Sequence, residues 1–197
     1  MDLMAVPLAR LGVHPHVMTL GGLGIGLGAV PLLQAHQFNA ALACILVNRL
    51  CDGLDGALAR RRAALAGHSP TAYGAYLDIV CDMLFYGAIV LGMTLALPDH
   101  AFWSVLLLFG FLGTSSSFLA YAAVSKDAGG DGRGLFFLSG LVEGTETIFF
   151  FIAFCKFYYI YPFLAAAFTA LCFLTTAIRM AVVAKKLGSS EQLTGNS

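Results

Sequence analysis

Between Met83 and Leu97 the chain runs MLFYGAIVLGMTLAL without one charged side chain, and five other stretches are nearly as apolar. A bilayer core takes about 20 apolar residues of helix. Runs of that length give six spans, over residues 17–35, 39–60, 74–97, 101–124, 135–155 and 160–184. The breaks between them carry turn and charge signals, among them QAHQFN, RRRAALAGHSPTAY and SKDAGGDGRG. Only 11% of the 197 residues are charged and 59% are hydrophobic, with a mean hydropathy of +0.83. Soluble domains carry roughly 25% charged residues, so this little charge cannot coat a globule and the solvent must be mostly lipid. The expected fold is all-α: a polytopic membrane protein of six transmembrane helices, forming one domain over residues 1–197. The first segment, MDLMAVPLARLGVHP, shows no typical signal-cleavage pattern and is suited to a small helix lying at the membrane surface.

Cation placement sets the expected orientation. Arg10, Arg60, Arg61, Arg62, Lys126, Arg133, Lys185 and Lys186 all fall on one side of six alternating helices, and only Lys156 falls on the other. Cytoplasmic loops carry the excess of Lys and Arg, so both termini are expected in the cytoplasm. The zero net charge leaves no nucleic-acid footprint. The five cysteines sit in apolar runs without CxxC or zinc-finger spacing and read as small packing residues. In the first span, Gly22 with Gly26 and Gly24 with Gly28 have the small-xxx-small spacing that lets helix backbones approach. Packing within one chain is the expected use, with dimerisation the alternative. A phosphate-cradling loop is not expected, because no P-loop lysine follows and no strand precedes.

Against this background, LVNRLCDGLDGALARRR (residues 46–62) and GAYLDIVCD (74–82) place four aspartates inside apolar helices. Asp52, Asp55, Gly56 and Ala59 follow i, i+3, i+4, i+7 spacing and share one face of the second helix. Gly74, Asp78 and Asp82 follow i, i+4, i+8 and share one face of the third. At about 1.5 Å rise per residue, Asp55 and Asp78 lie roughly 9 and 7 Å in from the arginine-rich end, and Asp52 and Asp82 each roughly 13 Å in. If the faces meet, the carboxylates form two tiers, with Gly56 and Ala59 too small to block an approach.

Like charges this close cannot all stay ionised unaided. Bound cations are one remedy, and hard divalent ions prefer oxygen ligands. No histidine or cysteine lies at ligand spacing on these faces, which argues against zinc. Two Mg²⁺ or Mn²⁺ ions fit the charge balance and suit displacement at phosphorus. The rival reading is a cation- or proton-coupled transporter, because intramembrane acids often mark transport routes. Such routes string their charges through the depth of the membrane. Here the acids gather near one surface beside three arginines, which favours a water-accessible pocket for a phosphorylated substrate.

These residues resemble the signature of the CDP-alcohol phosphotransferases, D-x-x-D-G-x-x-A-R, a spacer, then G-x-x-x-D-x-x-x-D. The matching positions are Asp52, Asp55, Gly56, Ala59, Arg60, Gly74, Asp78 and Asp82. HPHVMTLGGLGIGLGA also resembles the family's segment ahead of the motif, and NRLCDGLDGALARRR and SGLVEGTETIFFF look closest to a bacterial inner-membrane subgroup. The thirteen residues between Arg60 and Gly74 make a longer spacer than the family's usual one, which alters the cytoplasmic lip while sparing both helix registers.

The resemblance implies transfer of a phosphoalcohol group, most simply phosphatidyl, from a CDP-linked lipid donor such as CDP-diacylglycerol to a small alcohol acceptor, with release of CMP. By position, Asp52, Asp55 and Asp78 would bind metal, and Asp82 would take the acceptor's proton while also reaching a metal. Gly56, Ala59 and Arg60, with Gly74 close by, would hold the cytidine diphosphate. It also implies a homodimer in the bacterial inner membrane, with the active site facing the cytoplasm. A member that binds CDP-lipid without turning it over is a third reading.

The remaining polar residues are less specific. Glu143 and Glu146 lie in the fifth span and Arg179 in the sixth. With Arg133 they are the candidate acceptor contacts. Helical rise puts Glu146 roughly 16 Å and Arg49 roughly 18 Å deep, so an Arg49–Glu146 ion pair is the expected structural arrangement. Thr114, Ser115, Ser116 and Ser117 are expected to bond to local carbonyls. The five histidines sit near helix ends or in loops, as solvated or interfacial residues do.

Overall fold

The computed structural model describes residues 14–66, 71–127 and 144–194, and every regular element among them is helical. They are α1 (Pro15–Leu27), α2 (Ala29–Gln34), α3 (Phe38–Ala66), α4 (Ala72–Ala96), α5 (Ala101–Asp127), α6 (Gly144–Lys156) and α7 (Tyr161–Thr194). Short 3-10 turns at Pro98–His100 and Tyr158–Ile160 precede α5 and α7. The expected surface helix, with Arg10, lies outside the described residues, as do Arg133 and Glu143.

Among the described residues, four segments are long and apolar enough to cross a membrane: Pro15–Gln34, Ala72–Ala96, Pro98–Val124 and Tyr158–Lys185. The other two expected spans depart from that standard for identifiable reasons. α3 has the length, 29 residues, but carries the aspartates and arginines of the motif. Of the fifth span only residues 144–155 are described, within the 13-residue α6. Large apolar side chains such as Leu84, Phe102, Phe109, Leu112, Phe149 and Phe163 point outward, as an apolar solvent allows.

Local sequence accounts for the boundaries. Pro15 opens α1, where its missing N–H costs nothing. The break at Gly28 follows from Pro31, which cannot donate to the carbonyl four residues back. His36 takes the left-handed conformation (φ 56°) that ends α2, with the Gln37 N–H closing onto Leu32 O at 2.8 Å. The Thr71 hydroxyl caps α4 by accepting from the Gly74 N–H at 3.1 Å. Pro98 stops that helix just beyond Leu97.

The described residues divide into two compact units, one up to Pro98 and one from Asp99. In the first, α1 and α2 pack along both α3 and α4, while α3 and α4 approach each other less closely than either approaches α1. Phe85, Ile89 and Met93 of α4, Leu33 of α2 and Ile45 of α3 form its core. α1 nestles against α3 and α4 because Gly22 and Gly26 are glycines. A Cβ on Gly22 would lie 2.8 Å from the Cys51 Cβ, and one on Gly26 would lie 2.6 Å from the Phe85 ring. The glycine pair thus serves packing within the chain, while Gly24 faces open space. In the second unit, α5 packs on α7 through Gly110 against Cys172 and Gly113 against Thr176. Phe150 stacks on Phe168 at 4.2 Å, and buried Ser104 and Tyr161 share a hydrogen bond of 2.7 Å. All five cysteines are free thiols.

Candidate functional site

The acidic faces of α3 and α4 meet in the first unit. One carboxylate oxygen each from Asp52, Asp55 and Asp78 lies within 4.8 Å of the other two. Asp55 is buried at 6% exposure, Asp52 is half-buried and Asp78 is exposed, so the cluster opens on one side. Two helices are needed to build it. The i, i+3 spacing on α3 supplies two oxygens, and the facing stripe of α4 supplies the third. α1 lies along both helices, and the acids meet beside it.

α1 also supplies a side chain that sequence reasoning missed. The Thr19 hydroxyl donates to Asp55 Oδ2 at 2.5 Å, fixing the most buried acid of the cluster. Asn48, one turn before Asp52, donates from Nδ2 to the Gly22 carbonyl at 2.8 Å and so ties α3 to α1. The available signals were weak. Thr19 stands in the segment ahead of the motif, and Asn48 lies four residues before Asp52, yet neither spacing names a partner.

The fourth acid, Asp82, stands outside the triad. Its Oδ1 lies 2.8 Å from Arg49 Nη2, and its Oδ2 accepts from the Tyr86 hydroxyl at 3.3 Å. Oδ1 is fully buried, with the Arg49 guanidinium as its close partner. Arg49 Nη1 lies 3.5 Å from Asp52 Oδ2. Within the first unit Arg49 thus has two carboxylate neighbours, Asp52 and Asp82. Tyr86 extends the Gly74–Asp78–Asp82 stripe by one further i+4 step, a regularity that could have flagged it.

The other expected site residues take varied positions. Arg60 folds back over its own helix, its Nη1 coming within 3.3 Å of where a Gly56 Cβ would stand. Ala59 is half-buried on the same face, and Arg60 and Arg61 are exposed. A Cβ on Gly74 would meet the Thr71 hydroxyl at 3.1 Å and His16 at 3.6 Å, so this glycine leaves room for the helix cap and for His16. In the second unit Glu146 is exposed in the first turn of α6. Arg179 is buried on α7, donates to the Thr114 carbonyl at 3.0 Å and lies 5.7 Å from the Phe118 ring centre. Thr114, Ser116 and Ser117 donate to carbonyls of their own helix, as expected.

Chemically, three carboxylate oxygens converging from two helices form a hard-donor set suited to Mg²⁺ or Mn²⁺. The small residues on the α3 face leave that set approachable.

Comparison with known proteins is consistent with this geometry. A family model described as CDP-alcohol phosphatidyltransferase matches residues 13–183. The chain is 44% identical over 179 residues to "Inner membrane protein YnjF" of Escherichia coli, covering 88% of this chain and 84% of that one. It is 35% identical over 86 residues to a phosphatidylinositol phosphate synthase of Mycolicibacterium smegmatis, a match spanning 43% of this chain and 36% of that protein. In fold it resembles the crystal structure of Mycobacterium tuberculosis phosphatidylinositol phosphate synthase with CDP-DAG bound, with a TM-score of 0.74 at 22% identity, covering 93% of this chain and 92% of the other. The same enzyme in complex with manganese and citrate aligns with a TM-score of 0.70 at 23% identity, covering 92% and 88%.

Proposed function

The chain belongs to the CDP-alcohol phosphatidyltransferase family, and from that membership we propose that it moves a phosphatidyl group from a CDP-linked lipid such as CDP-diacylglycerol to a small alcohol, releasing CMP. Membership decides between the enzyme and transporter readings of the same acids in favour of the enzyme. The observation that carries the reading is the convergence of Asp52, Asp55 and Asp78 oxygens within 4.8 Å from two helices that both pack on α1. Two relatives of known activity support it: the phosphatidylinositol phosphate synthases and a CDP-diacylglycerol–serine O-phosphatidyltransferase of Mycobacterium bovis.

In this reading Asp52, Asp55 and Asp78 hold the divalent cation, with Thr19 fixing Asp55. A Mg²⁺ or Mn²⁺ bound there, two ions in the full complement, supplies positive charge to the pyrophosphate and to the leaving CMP. Gly56 and Ala59 leave space for the cytidine diphosphate, Gly74 borders it, and the exposed Arg60 swings from Gly56 onto its phosphates. Asp82 accepts the proton of the acceptor hydroxyl as that oxygen attacks phosphorus and the bond to CMP breaks. An alcohol is a weak nucleophile, and a carboxylate fixed by Arg49 and Tyr86 is a positioned base. Arg179, Glu146, Glu143 and Arg133 are the residues proposed to choose the acceptor. The chain is read as one domain of six spans, since the family match runs across both units. It is placed in a bacterial inner membrane as a homodimer, with both termini and the arginine-rich mouth of the site in the cytoplasm.

The test is CMP release from labelled CDP-diacylglycerol by purified protein, offered serine, glycerol phosphate or inositol phosphate, with and without Mn²⁺ or Mg²⁺. Release that requires both a metal and one of the alcohols is expected. Asp82→Asn should lower that release by roughly a hundredfold or more. Tight donor binding without release under any acceptor would identify a binding-only member, and neither binding nor release would defeat the reading altogether.

A further inference from the structure

Arg49 belongs to no motif position, yet it touches more of the site than any motif residue does. Its Nη2 meets Asp82, its Nη1 meets Asp52, and its Nε donates to Asn48 Oδ1 at 2.8 Å. The Phe85 ring centre lies 4.5 Å from the guanidinium carbon and that of Tyr86 lies 5.5 Å away. Every side of the fork is therefore occupied, and each neighbour is itself anchored. Asn48 is tied to the Gly22 carbonyl, Phe85 is fully buried beneath Gly26, and Tyr86 reaches Asp82. A planar, permanently charged fork is what such a two-carboxylate contact needs, and a lysine's single nitrogen cannot span it.

We propose that Arg49 is the positioning residue of this site: it holds the Asp82 carboxylate in its proton-accepting orientation, and its charge limits how tightly the neighbouring acidic triad binds divalent cations. The proposal rests on the phosphatidyltransferase reading for its first half only. The second half follows from Coulomb's law, since a fixed positive charge on Asp52 competes with any cation that Asp52 helps to hold. The arrangement holds Asp82 in one orientation without committing it to the triad.

The two halves predict opposite signs. In Arg49→Gln, Mn²⁺ binding to the purified protein, read from the free-ion EPR signal, should tighten by roughly tenfold, the size expected for removing one unit charge near the cluster in a water-like dielectric. CMP release should fall by roughly a hundredfold in kcat, with the donor KM changed little. General damage to the fold would weaken both together. Arg49→Lys keeps the charge and loses the fork, so it should retain wild-type Mn²⁺ affinity while kcat falls. Unchanged or weaker Mn²⁺ binding in Arg49→Gln overturns the proposal, as does an undiminished kcat in Arg49→Lys, which also serves if the glutamine variant does not fold. If wild-type protein binds Mn²⁺ but releases no CMP, the enzymatic reading fails, while the effect of Arg49 on ion affinity is still read directly and decides its own half.

Discussion

Replacing Gly22 with alanine adds one methyl group at a tight contact between α1 and α3. The new Cβ would stand 2.8 Å from the Cys51 Cβ, an atom fixed to the α3 backbone that cannot rotate away. Carbon atoms rest at about 3.5–4.0 Å, so α1 and α3 must separate by roughly 0.8 Å. The Thr19–Asp55 hydrogen bond crosses the same interface at 2.5 Å and would stretch to roughly 3.3 Å, past the usual range for an O–H···O bond. Overpacking of this kind costs about 1–3 kcal/mol, and weakening a hydrogen bond to a charged acid removes part of a further 1.5–3 kcal/mol or so. Gly22→Ala should therefore lower the midpoint of thermal unfolding in detergent and slow CMP release by roughly tenfold per folded molecule. Gly24→Ala is the matched control. Its Cβ meets nothing within 4 Å, and an alanine in a helix gains roughly 1 kcal/mol over glycine, so it should be neutral or mildly stabilising with full activity. If the two variants behave alike, the close approach of α1 to α3 is not what holds the site.

Thr19→Val keeps the shape of the side chain and deletes the donor to Asp55, which should slow CMP release by roughly tenfold or more. Wild-type turnover in that variant would remove Thr19 from the site. Tyr161→Phe strips buried Ser104 of its partner in the second unit, so unfolding in detergent should show a loss of roughly 1–3 kcal/mol while CMP release per folded molecule stays unchanged.

The helices and the acidic cluster were legible in the sequence because each rests on spacing within one helix. Apolar runs give length, proline and threonine give the ends, and i, i+3, i+4 steps put Asp52 with Asp55 and Asp78 with Asp82 on single faces. Partners across helices were not legible in this way. The depth argument set Arg49 against Glu146 because it compared rise along the helix alone. It put Asp82 roughly 5 Å shallower than Arg49, a gap that an arginine side chain spans, and direction around the helix then decides the partner. Within the first unit Asp52 and Asp82 both lie beside Arg49, neighbours that depth alone did not name.

The larger omission concerns α1. Its sequence, PHVMTLGGLGIGL, carries no carboxylate and only His16, at its very start, as a base, and its glycines read as simple packing devices. Yet the chain cannot assemble the cluster from α3 and α4 alone, because those helices keep their distance from each other and each packs on α1. The glycines bring α1 close enough for one hydroxyl to reach Asp55 and one carbonyl to receive Asn48, whose other end steadies Arg49. Packing and chemistry are thus set by the same residues. A methyl group on Gly22 presses on the helix that bears two of the acids, and one on Gly26 presses on Phe85, which lies under the Arg49 guanidinium. A change that looks like helix packing is for that reason expected to register first in turnover.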